Sequence, residues 1–180
     1  DDKDLYYAGS TLPAAYGGLN SHLEWNGFSL DLLFSYTLGR KVMNMVKNSA
    51  FSFTKEFGVV MNKFNIHDFW TTKNRNAKYP SLEFADKDYI GQFDGNVDSN
   101  IETISFLRLK QLVLGYKFPQ NWLKKTFIKE ANLYLSGENL FLLTNYSGVD
   151  PEVIDPYTGK DDGREYPLNR KITLGVNLKF

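Results

Sequence analysis

Apolar and polar residues alternate in several long runs of this chain, and the longest run closes the sequence. In residues 168–180 the apolar side chains Leu168, Ile172, Leu174, Val176, Leu178 and Phe180 hold the even positions. Asn169, Lys171, Thr173, Gly175, Asn177 and Lys179 hold the odd ones, and only Arg170 interrupts. A period of two makes an extended strand with one apolar and one polar face. This run is longer than the about 5–6 residues usual in a soluble sheet and reaches the about 9–11 that a tilted strand needs to cross a bilayer. Residues 16–26 alternate too, with Leu19, Leu23 and Trp25 against Asn20, His22 and Glu24. Asn26 and Gly27 both tolerate positive φ, so they predict a two-residue hairpin turn. Residues 28–38 return with Phe28, Leu30, Leu32, Phe34, Tyr36 and Leu38 on one face and Ser29, Asp31, Leu33, Ser35 and Thr37 on the other. Aromatics toward both ends of that apolar face match the interfacial anchors of a membrane strand. A soluble hairpin packed on a core would read the same way.

Residues 102–118 are again extended, with Leu112, Leu114, Tyr116 and Phe118 on one face and Gln111, Gly115 and Lys117 on the other. Phe106, Arg108 and Lys110 continue the first face, so its upper part is expected to lie clear of hydrocarbon. Pro119 stops the strand, and a short polar connection follows, anchored by Trp122 and holding one helical turn. Residues 131–143 form the next strand, whose apolar phase drifts at Gly137-Glu138-Asn139 and so predicts a bulge. The fifth strand spans 167–180. Between strands lie two long loops. Residues 39–101 contain apolar spacing of helical type at 42–46 and 53–70, then many turn formers. Residues 144–166 contain Asp150-Pro151, Asp155-Pro156 and Thr158-Gly159. Short connections on one side and long loops on the other are the habit of outer-membrane barrels, the long loops being extracellular. The expected fold class is therefore all-β, an antiparallel transmembrane β-barrel portion with partly helical extracellular loops. Five strands do not close a barrel, because bacterial barrels have even numbers from about eight upward, so the remainder is expected upstream or in another chain.

Composition removes other classes. Lys+Arg 21 balances Asp+Glu 21, which leaves no basic field for nucleic acid. There is no cysteine, hence no disulfide framework and no thiolate site. No apolar run reaches the about 18 residues of a membrane helix. The amino terminus lacks the basic start and apolar core of a secretory signal, so either the chain is cytosolic or it is the downstream part of something longer, and the strand pattern favours the second.

Three blocks in order carry a resemblance: SFLRLKQLVLGYKFP (105–119), LYLSGENLFLLTNYSGVDPEV (133–153) and YPLNRKITLGVNLKF (166–180). They closely resemble the carboxyl-terminal end of the SusC/RagA family, TonB-dependent outer-membrane transporters of Bacteroidetes. The segment Tyr16-Gly17-Gly18-Leu19-Asn20 and the hairpin at Asn26-Gly27-Phe28 are similar to the family's preceding strands. Only the region near 45–95 lies outside the resemblance. It implies a plugged barrel of about 22 strands, of which this chain supplies about the last five, ending on an aromatic residue as outer-membrane barrels usually do. It further implies a plug and TonB box upstream, coupling through TonB-ExbB-ExbD, and a SusD-like lipoprotein lid. The implied cargo is oligosaccharide or peptide, imported across the outer membrane without cofactor or enzymatic step. Lacking the plug, the segment alone is not expected to transport. A passive porin and a soluble β-rich carbohydrate-binding module are the alternatives.

On this reading Asn20, Glu24, Asp31, Asn169 and Lys171 line the lumen. Trp70, Tyr79, Tyr89 and Phe93 in the long loop are candidates to stack on sugar rings or meet the lipoprotein, aromatics being enriched in such contacts, or else to pack the loop on itself. Asp150 and Glu152 are candidate binding residues, with loop folding as the alternative use of Asp150. His22 and His67 have no metal-ligand spacing. Asp94, Asn96, Asp98, Asn100 and Glu102 alternate as calcium ligands do, but Ser99 stands where a calcium loop needs glycine, so an Asn/Asp-rich turn is expected, as it is for Asp161-Asp162-Gly163. A serine hydrolase built around His22 and Glu24 lacks a marked nucleophile.

Overall fold

The computed structural model describes residues 5–46, 66–77, 81 and 98–180. Their strands are β1 (Ala15–Trp25), β2 (Phe28–Asn44), β3 (Ile101–Lys117), β4 (Glu130–Thr144), the two-residue β5 (Lys160–Asp161) and β6 (Lys171–Lys179), with one short helix, α1 (Gln120–Leu123). The long strands pair in the order β1-β2-β3-β4-β6. The β1–β2, β3–β4 and β4–β6 ladders are antiparallel. Chain contacts divide the protein into two compact units, one of residues 12–40, 103–153 and 166–180 and another of residues 1–11, 41–102 and 154–165.

The first of these holds most of the sheet: β1, β4, β6 and the greater part of β2 and β3. Asn26 at φ 48° and Gly27 at φ 87° turn the chain so that Trp25 pairs with Phe28 and the register runs unbroken to Ala15 opposite Leu38. Leu19 therefore faces Phe34 and Leu23 faces Leu30 on one side, and Asn20, His22 and Glu24 face Leu33, Asp31 and Ser29 on the other. The apolar side continues across the sheet. Phe28 and Tyr116 have ring centroids 4.5 Å apart, Tyr116 pairs with Leu133 and Leu114 with Leu135, and those two pair with Val176 and Leu174. Leu19, Leu23, Leu114, Leu133, Leu135, Ile172, Leu174, Val176 and Leu178 are all exposed on this face. From Phe28 to Leu38, ten steps of about 3.4 Å make about 34 Å of strand. Tilted by about 45°, that is about 24 Å of height, close to the about 25 Å apolar band of a membrane barrel.

The phase drift in β4 is a bulge. Leu109 pairs with Phe141 but Gln111 with Glu138, so β4 carries one extra residue, and Asn139 takes φ 52° there. Below the bulge Leu112, Leu114 and Tyr116 hold the open apolar face. Above it, Ile104, Phe106 and Arg108 on the same side of β3 are buried, and the segment after β4 folds back to bring Asp150 and Glu152 onto Arg108.

Two elements differ from the sequence expectation. Residues 42–46, spaced like a helix, continue β2 through Asn44, and only 45–46 make a helical turn. The partner that holds them extended is β5, in a parallel pairing of Met43 with Lys160 and Asn44 with Asp161, and the Met43 N–H donates to the Gly159 carbonyl at 2.8 Å. The last strand begins at Lys171 rather than 167, since the Leu168 N–H is taken by the Asp150 carboxylate at 3.0 Å. Most of the helical spacing at 53–70 lies outside the described residues, and its described end holds the 3-10 turn Ile66–Asp68. Among the described residues no helix is long and apolar enough to cross a membrane, which leaves crossing by strands untouched.

Candidate functional site

The polar face of the sheet collects the residues with chemistry. Asn20, Glu24 and Asp31 share it by register. His22 sits opposite Asp31, with Nδ1 2.5 Å from Oδ1, and its Nε2 lies 3.2 Å from Glu24 Oε1. Both ring nitrogens thus face carboxylates, and neither is left to take a proton from a hydroxyl nucleophile. Farther across the face, Lys171 pairs with Glu138 in register, Nζ to Oε1 3.4 Å. Asn169 lies before β6, and its carbonyl accepts a hydrogen bond from Asn139 at 3.1 Å. A groove runs along this face at the short-turn end, lined among others by Glu24, Ser29, Gly115, Lys117, Tyr134 and Asn177. Glycine has a defined purpose there: the Tyr134 ring lies over Gly175, in the space a β-carbon would need, as an aromatic covers a glycine in a neighbouring strand.

The segment after β4 is pinned by a charge cluster. Arg108 is 3% exposed and Asp150 2%. Arg108 donates to Asp150 Oδ1 at 2.5 Å and is also ion-paired through Nε to Glu152, while Lys110 reaches Glu152 at 2.8 Å. Asp150 further accepts the N–H groups of Glu152 at 3.0 Å and Leu168 at 3.0 Å. Two cations and two anions neutralise each other, and the hydrogen bonds Asp150 accepts within the chain are those of a residue that folds a loop. Asn145 adds to the same anchorage by accepting from the Ser105 N–H at 2.7 Å and donating to the Thr103 carbonyl at 3.0 Å.

In the other unit Trp70 is exposed beside buried Phe69. Asp98 accepts the Tyr6 hydroxyl at 2.7 Å, and that hydrogen bond, with burial and the nearby negative charge, pushes the Tyr6 phenol above its usual range. Glu102 accepts from Asn44 at 3.2 Å. Asp98 and Glu102 are thus engaged within the chain, and Asp161 and Asp162 cap the N–H groups of Gly163 and Arg164. Among the described residues no group of three or more His, Cys, Asp and Glu is placed to hold a metal. Tyr79, Tyr89, Phe93, Asp94 and Asn96 lie outside the described residues.

Comparison with known proteins places this sheet. No family model matches. TonB-dependent receptor P3 of Formosa agariphila is 29% identical over 188 residues, covering 98% of this chain and 17% of the relative. TonB-dependent receptor P26 of the same organism is 30% identical over 98% of the chain, and the TonB-dependent receptor SusC of Bacteroides thetaiotaomicron is 28% identical over 100% of it. The structure of the RagAB peptide importer in its open-open state superposes with TM-score 0.72 at 29% identity over 95% of this chain and 18% of that one. This chain is a carboxyl-terminal portion of a SusC/RagA-type receptor. It spans less than a fifth of the length of the curated relatives named here, and its sheet is a part of a barrel.

Two features of this SusC/RagA-type segment escaped the sequence reading. The His22–Asp31 pair follows by counting outward from the Asn26-Gly27 turn, so the signal was present. The Arg108–Asp150 pair joins positions 42 apart, and no local pattern announces it.

Proposed function

We propose that the chain is the last wall of a TonB-dependent importer in the outer membrane, its apolar face against lipid and its polar face toward the lumen. Similarity to SusC and to the RagAB importer over nearly the whole chain is the observation that carries this reading, and the about 24 Å apolar band supports it. Asn20, Glu24, Asp31 and Lys171 then face the lumen or plug, with Asn169 at its upper edge. The receptor takes up oligosaccharide or peptide with a SusD-like lipoprotein over the mouth, and energy reaches it through a plug and TonB-ExbB-ExbD. The loops bearing Trp70, Tyr79, Tyr89 and Phe93 are where cargo or lipoprotein contacts fall, and Asp150 and Glu152 serve them by fixing the base of the last loop.

The test is fractionation of native cells. The expected result is that the polypeptide is extracted from outer membranes only with detergent, together with upstream barrel sequence, and that cells lacking it lose energy-dependent uptake. A water-soluble monomer of 20.7 kDa, folded without detergent, would favour the carbohydrate-binding module instead. Uptake that persists after TonB is removed would favour a porin.

A further inference from the structure

The connection between β3 and β4 carries chemistry that import does not use. No acidic residue occurs from Thr103 to Lys129, and the part from 117 to 129 holds Lys117, Lys124, Lys125 and Lys129 interleaved with Phe118, Trp122 and Phe127. The connection is ordered by its own hydrogen bonds. The Trp122 N–H donates to Pro119 at 3.0 Å, Lys124 to Gln120 at 3.1 Å, Thr126 to Leu123 at 2.8 Å and Lys129 to Lys179 at 2.7 Å. Yet its large side chains are left bare, Trp122 65% exposed and Phe127 80%, as is Phe180 after β6 at 63%. Phe127 stacks on Phe180 with centroids 5.6 Å apart, and Phe118 links Tyr116 of the apolar face to Trp122, at 5.1 and 6.3 Å. Lys124 and Lys125 are exposed, and a groove of about 440 Å³ beside them is lined by Gln120, Thr126, Lys129, Glu130 and Lys179 among others.

Lys129 donates its ammonium to the Phe180 oxygen at 3.1 Å, which leaves Lys124 and Lys125 as the exposed ammonium groups beside the rings. Bare rings held in a fixed turn, continuous with an apolar sheet face and flanked by that pair, fit a medium that is greasy on one side and negative on the other. We propose that α1 and its flanks form a docking site for an anionic phospholipid, with Lys124 and Lys125 on the headgroup phosphate and Trp122 and Phe127 at the level of the glycerol backbone. This rests on the membrane reading of the sheet. Charge complementarity selects an anionic over a zwitterionic lipid. The aromatic row running into the apolar face selects a lipid over an acidic protein.

The experiment uses the full-length receptor, plug included, in nanodiscs of phosphatidylethanolamine containing phosphatidylglycerol, with retained lipids counted by native mass spectrometry. Insertion is checked first, by the heat-dependent gel shift of a folded barrel. The wild type is expected to retain phosphatidylglycerol in preference to phosphatidylethanolamine, and K124Q/K125Q to lower that preference at least fivefold, since one lysine near an anionic surface is worth about fivefold. A K73Q/K160Q control of equal charge change is expected to keep it. Equal retention of the two lipids by an inserted wild type, or an unchanged preference in K124Q/K125Q, overturns the lipid site and leaves the membrane reading standing. Displacement by millimolar inorganic phosphate as effective as displacement by lipid also overturns it, in favour of a free-anion site. A receptor that never enters the bilayer overturns both.

Discussion

Replacing Asp150 by alanine should release the base of the last loop. Its carboxylate faces Arg108, which is as buried as Asp150 itself, and breaking a buried pair by removing one partner costs about 3–5 kcal/mol because the other charge stays buried. Glu152 remains beside Arg108 and recovers part of that cost. However, the N–H groups of Glu152 and Leu168 lose their acceptor as well, at about 1 kcal/mol each, so a net loss of about 3 kcal/mol or more is expected. The loss is local, and where opening is fast relative to cleavage it appears as a rise in the open population. Limited proteolysis of the full receptor in detergent should therefore cut the segment after β4 on the order of a hundredfold faster in Asp150→Ala. The double variant R108M/D150L removes both charges and fills their space, and it should cut far more slowly than the single one. A single-variant rate within about twofold of wild type would refute the buried-pair argument, as would a double variant cut as fast as the single.

The two sheet faces should respond oppositely to charge: Leu114→Arg, in the middle of the apolar face, should cost about 2–4 kcal/mol of folding into lipid vesicles, whereas Val113→Arg on the polar face should change it little. Urea titration of the vesicle-folded receptor reads both, and equal losses would contradict the assigned faces. Gly175→Val should destabilise the β4–β6 pairing by about 1–3 kcal/mol through collision with the Tyr134 ring, with Tyr134→Ala restoring part of the loss in the double variant. Asn139→Val places a β-branched residue at φ 52° and should cost about 1–2 kcal/mol in the same titration, while Asn139→Gly, which keeps the backbone unstrained and loses only the exposed hydrogen bond to the Asn169 carbonyl, should cost less, about 0.5 kcal/mol.

How much was legible depended on how local the cause was. The β1–β2 hairpin was readable to the residue because two adjacent residues fix its register, and every pairing outward to Ala15 and Leu38 follows from them. The bulge in β4 was readable because an extra residue shifts the apolar phase. The extension of β2 through Asn44 was not, since its partner strand lies at Lys160–Asp161 and four residues are too few for alternation to outvote helical spacing. Alternation also overreached at the other end. Leu168 continues the period-two pattern of β6, but its N–H belongs to Asp150, so pattern is necessary for a strand without being sufficient. The resemblance supplied what periodicity lacks, the larger barrel of which this sheet is a part.

One face of β3 meets two environments, and its length shows why the charge cluster stands where it does. The strand has 17 residues, about 58 Å of chain and about 40 Å of height at a 45° tilt, against an apolar band of about 25 Å. About 15 Å, or some six residues, must stand beyond the band. On the membrane reading proposed above, those counted from the Tyr116 end are Ile101 to Phe106, so Arg108, which the sequence pattern alone sets clear of hydrocarbon, falls just inside the boundary, where an unpaired charge is costly. The folded-back segment removes that cost by bringing Asp150 and Glu152 to Arg108 and Lys110. The same contact that makes the strand tolerable at the edge of the lipid thus sets the starting point of the last loop. Arg108 and Asp150 thereby keep the base of that loop at a fixed height on β3.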